Sequence, residues 1–127
     1  MITNRLFVYG TLAPGKSNAY VLADLAGTWE RAYTHGTVYQ VAWGPARGYP
    51  GILLNQDDAE VSGLIFTSDE LSAHWRRLDA FEGEGYNRVL VTARLESGSI
   101  VQAYIYSLSE DYTRGQVVPG PIMADLP

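Results

Sequence analysis

Short segments of β-forming residues, separated by turns, make up most of this chain of 127 residues. The first of them, Leu6 to Tyr9, has no polar position and ends at Gly10, which is typical of a strand buried on both faces. Later segments combine Val, Ile, Thr, Tyr and Trp between turns rich in Gly and Pro. The predicted strands are Leu6–Tyr9, two or three strands between Gly27 and Leu54, Val61–Thr67, Tyr86–Leu95 and Ile100–Leu108.

Two segments have helical periodicity instead. Ser17 or Asn18 could cap a short helix that ends at Gly27, with an apolar side made of Val21, Leu22 and Leu25. Ser68 begins a second predicted helix, which runs to about Phe81. The tail from Arg114 is rich in Gly and Pro and is predicted to be irregular.

These elements predict a single domain over residues 1–127 of the α+β class, with six or seven strands and two flanking helices. A sheet of that size in so short a chain is expected to curl into a small barrel.

Composition excludes several kinds of function. The net charge is −5 and the sequence has no block of Lys or Arg, so neither a nucleic acid nor an anionic membrane is an expected partner. Cys is absent and only two isolated histidines occur, which excludes a thiol nucleophile and disfavours a metal site. The apolar run before Gly10 is too short for a signal peptide or a membrane span, so a cytoplasmic location is expected.

Glu82 is the most informative residue of the second helix. On a helical wheel, Leu71, Trp75, Leu78 and Glu82 fall within about 60° of one another, which places a carboxylate in the apolar stripe. Burial and the negative end of the helix dipole both disfavour the anion. We therefore expect a raised pKa for Glu82, a property suited to a general base.

Two alternatives to a buried Glu82 remain open at this level. The residue could fray into solvent before Gly83, or it could pair with Arg77 or Arg88. Glu84 is the nearest competitor for the same role, but its flanking glycines favour a solvated loop position.

The segment Tyr9-Gly10-Thr11-Leu12 follows the first strand. A strand that ends in Gly can turn several main-chain NH groups inward and so form a cradle for a carboxylate or an oxyanion. A nucleotide phosphate loop is excluded, because the chain has no G-x-x-x-x-G-K-[ST] pattern. The alternative is that Gly10 only permits a tight turn.

The segments FVYGTL and LDAFEGEGYNR, together with GYPGI, VSGLIF and QAYIY in this order, resemble the γ-glutamylcyclotransferase-like family. The resemblance is greatest to its small members similar to γ-glutamylamine cyclotransferase, and it covers most of the chain up to about Leu108. It implies a small mixed β-barrel in which Tyr9, Gly10, Thr11 and Leu12 bind a γ-glutamyl group and Glu82 is catalytic. It also implies secondary contacts from Tyr86, Arg88 and Tyr104.

The implied reaction is intramolecular. The α-amine of a small γ-glutamyl substrate attacks its own γ-carbonyl to give 5-oxoproline, with Glu82 as general acid and base and with no metal or organic cofactor. A non-catalytic domain that binds a small carboxylate in the same pocket is the main alternative, and a protein-docking module is a weaker one. The sequence leaves the released amine open, and it does not decide between a monomer and a homodimer.

Overall fold

A computed structural model describes residues 4–10, 15–16, 19–41, 50–83, 85–108 and 117–119. Two α-helices and one short 3-10 helix, Leu71–Ala73, accompany seven strands in this part of the chain. The helices are α1 (Tyr20–Ala23) and α2 (Trp75–Glu82), and the strands are β1 (Arg5–Val8), β2 (Thr28–Val41), β3 (Pro50–Leu54), β4 (Glu60–Thr67), β5 (Tyr86–Leu95), β6 (Ile100–Leu108) and β7 (Val117–Pro119).

The sheet closes on itself, which confirms the predicted α+β barrel. Its strand order is β1-β4-β2-β3-β6-β5, and the additional pairing of β1 with β6 completes a five-stranded ring. β1 and β3 run parallel to β6, whereas the other pairs are antiparallel. The sheet is therefore mixed, as the family resemblance implies. β5 and β6 form the predicted hairpin with the predicted bounds.

The burial of β1 on both faces explains its uninterrupted apolar sequence. Phe7 and Tyr9 join a cluster of strand residues inside the barrel. Leu6 and Val8 point the other way and pack with residues of the two helices. Since successive side chains of a strand alternate between faces, a strand between two apolar layers has no position left for a polar residue.

The two predicted helices are present but shorter than expected. Val21, Leu22 and Leu25 are buried as predicted, yet α1 has Ala19 as its N-cap with no side-chain hydrogen bond and ends at Ala23, with Asp24 as its C-cap. The prediction of a Ser17 or Asn18 cap and an end at Gly27 is therefore wrong. The single turn of helix before Asp24 is set by packing of its apolar side chains rather than by a capping residue.

The second predicted helix is divided in two. The backbone at His74 (φ −120°, ψ 2°) leaves the helical region and separates the 3-10 helix from α2. Ser68 still begins the segment as predicted, since its Oγ accepts a hydrogen bond from the backbone N–H of Glu70 at 3.1 Å. Leu71, Trp75 and Leu78 are buried in the predicted apolar stripe.

The chain after residue 108 is described only at 117–119. These residues form β7, which pairs antiparallel with β2, so the prediction of an irregular tail is wrong there. The pairing gives hydrogen-bond partners to the edge of β2. The Gly and Pro content of the tail, on which the prediction was based, carries no information about such a pairing. Within the described ranges, no helix is both long and apolar enough to cross a membrane.

Candidate active site

Glu82 is the last residue of α2. The following Gly83 has a positive φ of +83°, and its N–H donates to the carbonyl of Asp79. A glycine with this backbone ends the helix without the steric penalty that a Cβ would add. The carboxyl group of Glu82 therefore lies at a fixed helix terminus, partly buried, as the apolar stripe of Leu71, Trp75 and Leu78 predicts.

Burial raises the pKa of Glu82 to about 7. No hydrogen bond or ion pair joins its carboxyl group to any other residue in the described part of the chain. Arg77 instead contacts Asp24 at 3.7 Å, and Arg88 binds Asp79. The pairing of Glu82 with Arg77 or Arg88 is thus absent, and desolvation is the cause of the raised pKa.

Tyr9 directly follows β1 (Arg5–Val8), within electrostatic range of Glu82. Its hydroxyl donates to the carbonyl oxygen of Tyr106 at 2.6 Å and accepts from the backbone N–H of Ile52 at 3.1 Å. Burial is the main reason that the pKa of Tyr9 is well above its usual value, and the nearby Tyr86 and Glu82 charges add to the effect. The Tyr9 hydroxyl is therefore fully engaged within the protein.

Gly10 lies in the bend that follows β1. Thr11 and Leu12, which complete the predicted cradle, are outside the described residues, and so is the competitor Glu84. The main-chain cradle therefore stays a prediction. Tyr9 is linked to the helix of Glu82 through Tyr106, whose carbonyl accepts from Tyr9 and whose hydroxyl donates to Asp79.

Asp79 and Tyr106 are site neighbours that the sequence reasoning missed. The Asp79 side chain is 43% exposed, yet its Oδ1 accepts from the Tyr106 hydroxyl at 2.6 Å and from Arg88 Nε at 2.8 Å. Its Oδ2 accepts from Arg88 Nη2 at 3.2 Å. The bonds from Arg88 and Tyr106 hold the pKa of Asp79 below its usual range. Strand periodicity in QAYIY offered a signal, because it places Tyr104 and Tyr106 on one face.

Arg88 is held by rings as well as by Asp79. Its guanidinium lies 4.6 Å from the centroid of the Trp75 ring and 4.5 Å from that of Tyr104. Such stacking suits the planar, weakly hydrated guanidinium. Two of the expected secondary residues, Arg88 and Tyr104, therefore contact each other, and the ion pair joins α2 to β5 beside Glu82.

Other features of the described residues do not suggest a second reaction centre. A cavity of about 180 Å³ lies between α1 and β2, and its lining, which includes Leu22, Leu25, Trp29 and Phe66, carries no ionisable side chain. No group of three or more His, Cys, Asp or Glu side chains is placed to hold a metal ion in the part of the chain described.

Comparison with known proteins identifies the family. Residues 6–121 match the family model of gamma-glutamyl cyclotransferase, AIG2-like. The chain belongs to the AIG2-like gamma-glutamyl cyclotransferase family. The chain is similar to a protein of Bacillus subtilis, YkqA, which carries the provisional name gamma-glutamylcyclotransferase and is 33% identical over 110 residues. That match spans 87% of this chain and 37% of YkqA, so the chain corresponds to little more than a third of that relative.

Solved structures of AIG2-like proteins have the same fold. The crystal structure of YkqA is 30% identical with a TM-score of 0.65, and the match covers 92% of this chain and 38% of YkqA. An AIG2-like protein from Mus musculus is 25% identical with a TM-score of 0.67, over 94% of this chain and 87% of the mouse chain. The mouse AIG2-like structure therefore corresponds to this chain over nearly its whole length.

Proposed function

We propose that this chain is a gamma-glutamyl cyclotransferase that converts a γ-glutamyl amine or γ-glutamyl amino acid to 5-oxoproline. The α-amine nitrogen of the substrate attacks its own γ-carbonyl carbon, a new C–N bond closes the ring, and the original γ-amide C–N bond breaks. Glu82 takes a proton from the attacking amine and gives one to the departing nitrogen. The products are 5-oxoproline and a free amine or amino acid, and the protein is unchanged.

The observation that carries this proposal is the environment of Glu82. A carboxyl group with a pKa of about 7 exchanges its proton readily at neutral pH, which is the requirement for a group that acts as base and then as acid. Membership of the family supports the same reaction. Because attack occurs within one molecule, the site has mainly to hold the substrate in a bent conformation.

We assign the binding of the substrate's α-carboxylate to the segment Tyr9, Gly10, Thr11 and Leu12. Both hydrogen-bonding functions of the Tyr9 hydroxyl are already used by Tyr106 and Ile52. Tyr9 would therefore contribute its ring and main chain to the pocket, and the NH groups that follow it would bind the carboxylate. A main-chain donor here could also stabilise the oxyanion, an effect of about 3 kcal/mol in measured cases.

The activity can be tested directly. The purified protein is incubated with a panel of γ-glutamyl amines and γ-glutamyl amino acids, and 5-oxoproline is measured by mass spectrometry. Release of 5-oxoproline from at least one substrate is expected. Ligand binding without product, across the whole panel, would favour the carboxylate-binding domain instead.

Glu82→Gln tests the assignment of the base. The change keeps the size of the side chain and removes its exchangeable proton, so turnover should fall by about 100-fold or more while substrate binding is retained. Glu30→Gln is the matched control, because Glu30 is exposed on β2 and should keep wild-type turnover. Wild-type turnover in Glu82→Gln combined with loss in Glu84→Gln would transfer the role to Glu84.

A further inference from the structure

Tyr106 forms hydrogen bonds with two separate parts of the candidate site, the end of the first strand and the helix that carries Glu82. Its backbone carbonyl accepts the hydrogen bond from Tyr9 at the end of β1, and its side-chain hydroxyl donates to Asp79 on α2. Both bonds measure 2.6 Å, and Tyr106 is only 5% exposed. One residue of β6 therefore contacts both the element that carries the candidate base and the element that precedes the candidate binding loop.

Asp79 lies in the same last turn of α2 as Glu82, so its contacts affect the position of the Glu82 side chain. It lies three positions before Glu82, and its carbonyl accepts the N–H of Gly83 at 3.0 Å, which closes the last turn of α2. An isolated helix of eight residues has little stability of its own in water. The position of the Glu82 carboxyl group therefore depends on the contacts that fix this last turn, and Asp79 makes three of them.

We infer that Tyr106 is a positioning residue, which holds the last turn of α2 against β6 so that the Glu82 carboxyl group stays partly buried. This role rests on the proposed cyclotransferase function of Glu82. Tyr106 is not itself an acid–base group in this arrangement, since its proton is donated to Asp79. Burial and that bond also raise the pKa of Tyr106 well above its ordinary value.

Tyr106→Phe removes only the hydroxyl and leaves the ring and the carbonyl that binds Tyr9. We expect kcat to fall by about tenfold or more with KM changed by less than about threefold, because the loss concerns an interaction needed in the transition state. Tyr33→Phe is the matched control. The Tyr33 hydroxyl also donates to a carboxylate, Glu96 Oε1 at 2.7 Å, but at the surface, and its removal should leave kcat unchanged.

A second pair of variants tests the same bond from its other partner. Asp79→Asn and Asp79→Ala both remove the charge and both leave Arg88 without its carboxylate. Only Asn keeps an oxygen that can accept from Tyr106. We expect kcat of the Ala variant to lie about tenfold or more below that of the Asn variant, and equal kcat values would overturn the proposal even if Tyr106→Phe failed to fold.

The titration of Glu82, followed by ¹³C NMR of its carboxyl carbon, separates this inference from the proposed function. The ionisable groups around the site are Tyr9, Tyr86, Tyr106 and the Asp79–Arg88 pair, and Tyr106→Phe changes no charge among them at neutral pH. A looser helix end admits water, so the midpoint should move towards the ordinary glutamate value in Tyr106→Phe and stay in place in Tyr33→Phe.

The outcomes are distinct. A midpoint in Tyr106→Phe equal to that of the wild type would overturn the positioning role, whatever the activity. Absence of 5-oxoproline with the wild-type protein would instead overturn the cyclotransferase function, and the NMR titration would still decide whether Tyr106 holds Glu82.

Discussion

Glu82 illustrates how position alone changes the chemistry of a residue. Its side chain is an ordinary glutamate, but burial at the end of α2 raises its pKa to about 7. The neighbouring Asp79 has its pKa lowered by Arg88 and Tyr106. Two carboxyl groups three residues apart in one helix thus have opposite shifts. Such a divergence separates a proton-transfer group from a structural one.

The raised pKa predicts the pH dependence of turnover. In the proposed reaction the base is the ionised form of Glu82, so kcat/KM should decline on the acidic side of about pH 7, tending to tenfold per pH unit as Glu82 becomes protonated. Rates of 5-oxoproline formation between about pH 5 and pH 9 would measure this acidic limb of the pH–rate profile. A midpoint near the ordinary glutamate value would contradict the assignment, as would the same limb in the residual activity of Glu82→Gln.

At the scale of elements, α2 is a short helix fixed by side chains that reach from the sheet. Trp75 and Leu78 bury one side of it, and the Asp79–Arg88 pair joins its last turn to β5. Arg88 is 22% exposed and lies against two aromatic rings. The Asp79 side chain is 43% exposed, so any stabilisation beyond that of an average surface ion pair comes from the two parallel hydrogen bonds and the ring contacts of Arg88.

Arg88→Lys should therefore destabilise the protein. Lysine keeps the charge but cannot donate two parallel hydrogen bonds or stack as a plane, so we expect a loss of about 1–2 kcal/mol in the free energy of unfolding at neutral pH. Denaturant titration measures this change. Arg94→Lys is the matched control, because Arg94 also pairs with a carboxylate and stacks on a ring but is 43% exposed, and it should lose less than about 0.5 kcal/mol.

The Asp79–Arg88 pair also makes the stability of the protein depend on pH. The folded-state pKa of Asp79 lies below its ordinary value of 3.8, so its stabilising effect is present above that value and is lost as the pH falls through the lower folded-state pKa. The difference in stability between wild type and Arg88→Lys should accordingly shrink in strong acid. An undiminished difference there would show that stacking on Trp75 and Tyr104, rather than the ion pair, carries the effect.

At the scale of the whole molecule, closure of the barrel brings the site together. β1 lies between β4 and β6, and this arrangement places Tyr9 within reach of Tyr106 and Ile52. Gly63 on β4 allows the close approach of β1, since a Cβ there would lie 2.6 Å from both the carbonyl oxygen of Val8 and the ring of Phe7. Added volume at Gly63 would push apart strands that the ring requires to be paired.

Gly63→Ala is therefore expected to destabilise the protein by about 1–3 kcal/mol, the usual effect of overpacking where backbone must move. Thermal and denaturant unfolding would measure it. Ser62→Ala, at the exposed neighbouring position of the same strand, should change stability by less than about 0.5 kcal/mol. Equal effects of the two substitutions would mean that the barrel accommodates the methyl group without strain.

Sequence patterns predicted the elements whose burial is periodic. The bounds of β5 and β6 follow from alternation around the Glu96–Ser99 turn, and the burial of Leu71, Trp75 and Leu78 follows from helical spacing. Features that depend on packing between elements were predicted less well. The pairing of β7 with β2 depends on a partner distant in the sequence, and no Gly or Pro marks the break at His74.

Helical spacing is enough to place Glu82 in an apolar stripe, and the uninterrupted apolar run before Gly10 is enough to mark a strand that stops there, since both patterns depend only on local residue order. The groups that surround Glu82, by contrast, depend on how α2 packs against the sheet. Sequence spacing would allow Arg88 to reach either Glu82 or Asp79. In the folded protein Arg88 binds Asp79, which also accepts a hydrogen bond from Tyr106. Glu82 is left without a cation among the described residues, because contacts between α2, β5 and β6 are set by the packing of the closed sheet and not by distance along the chain.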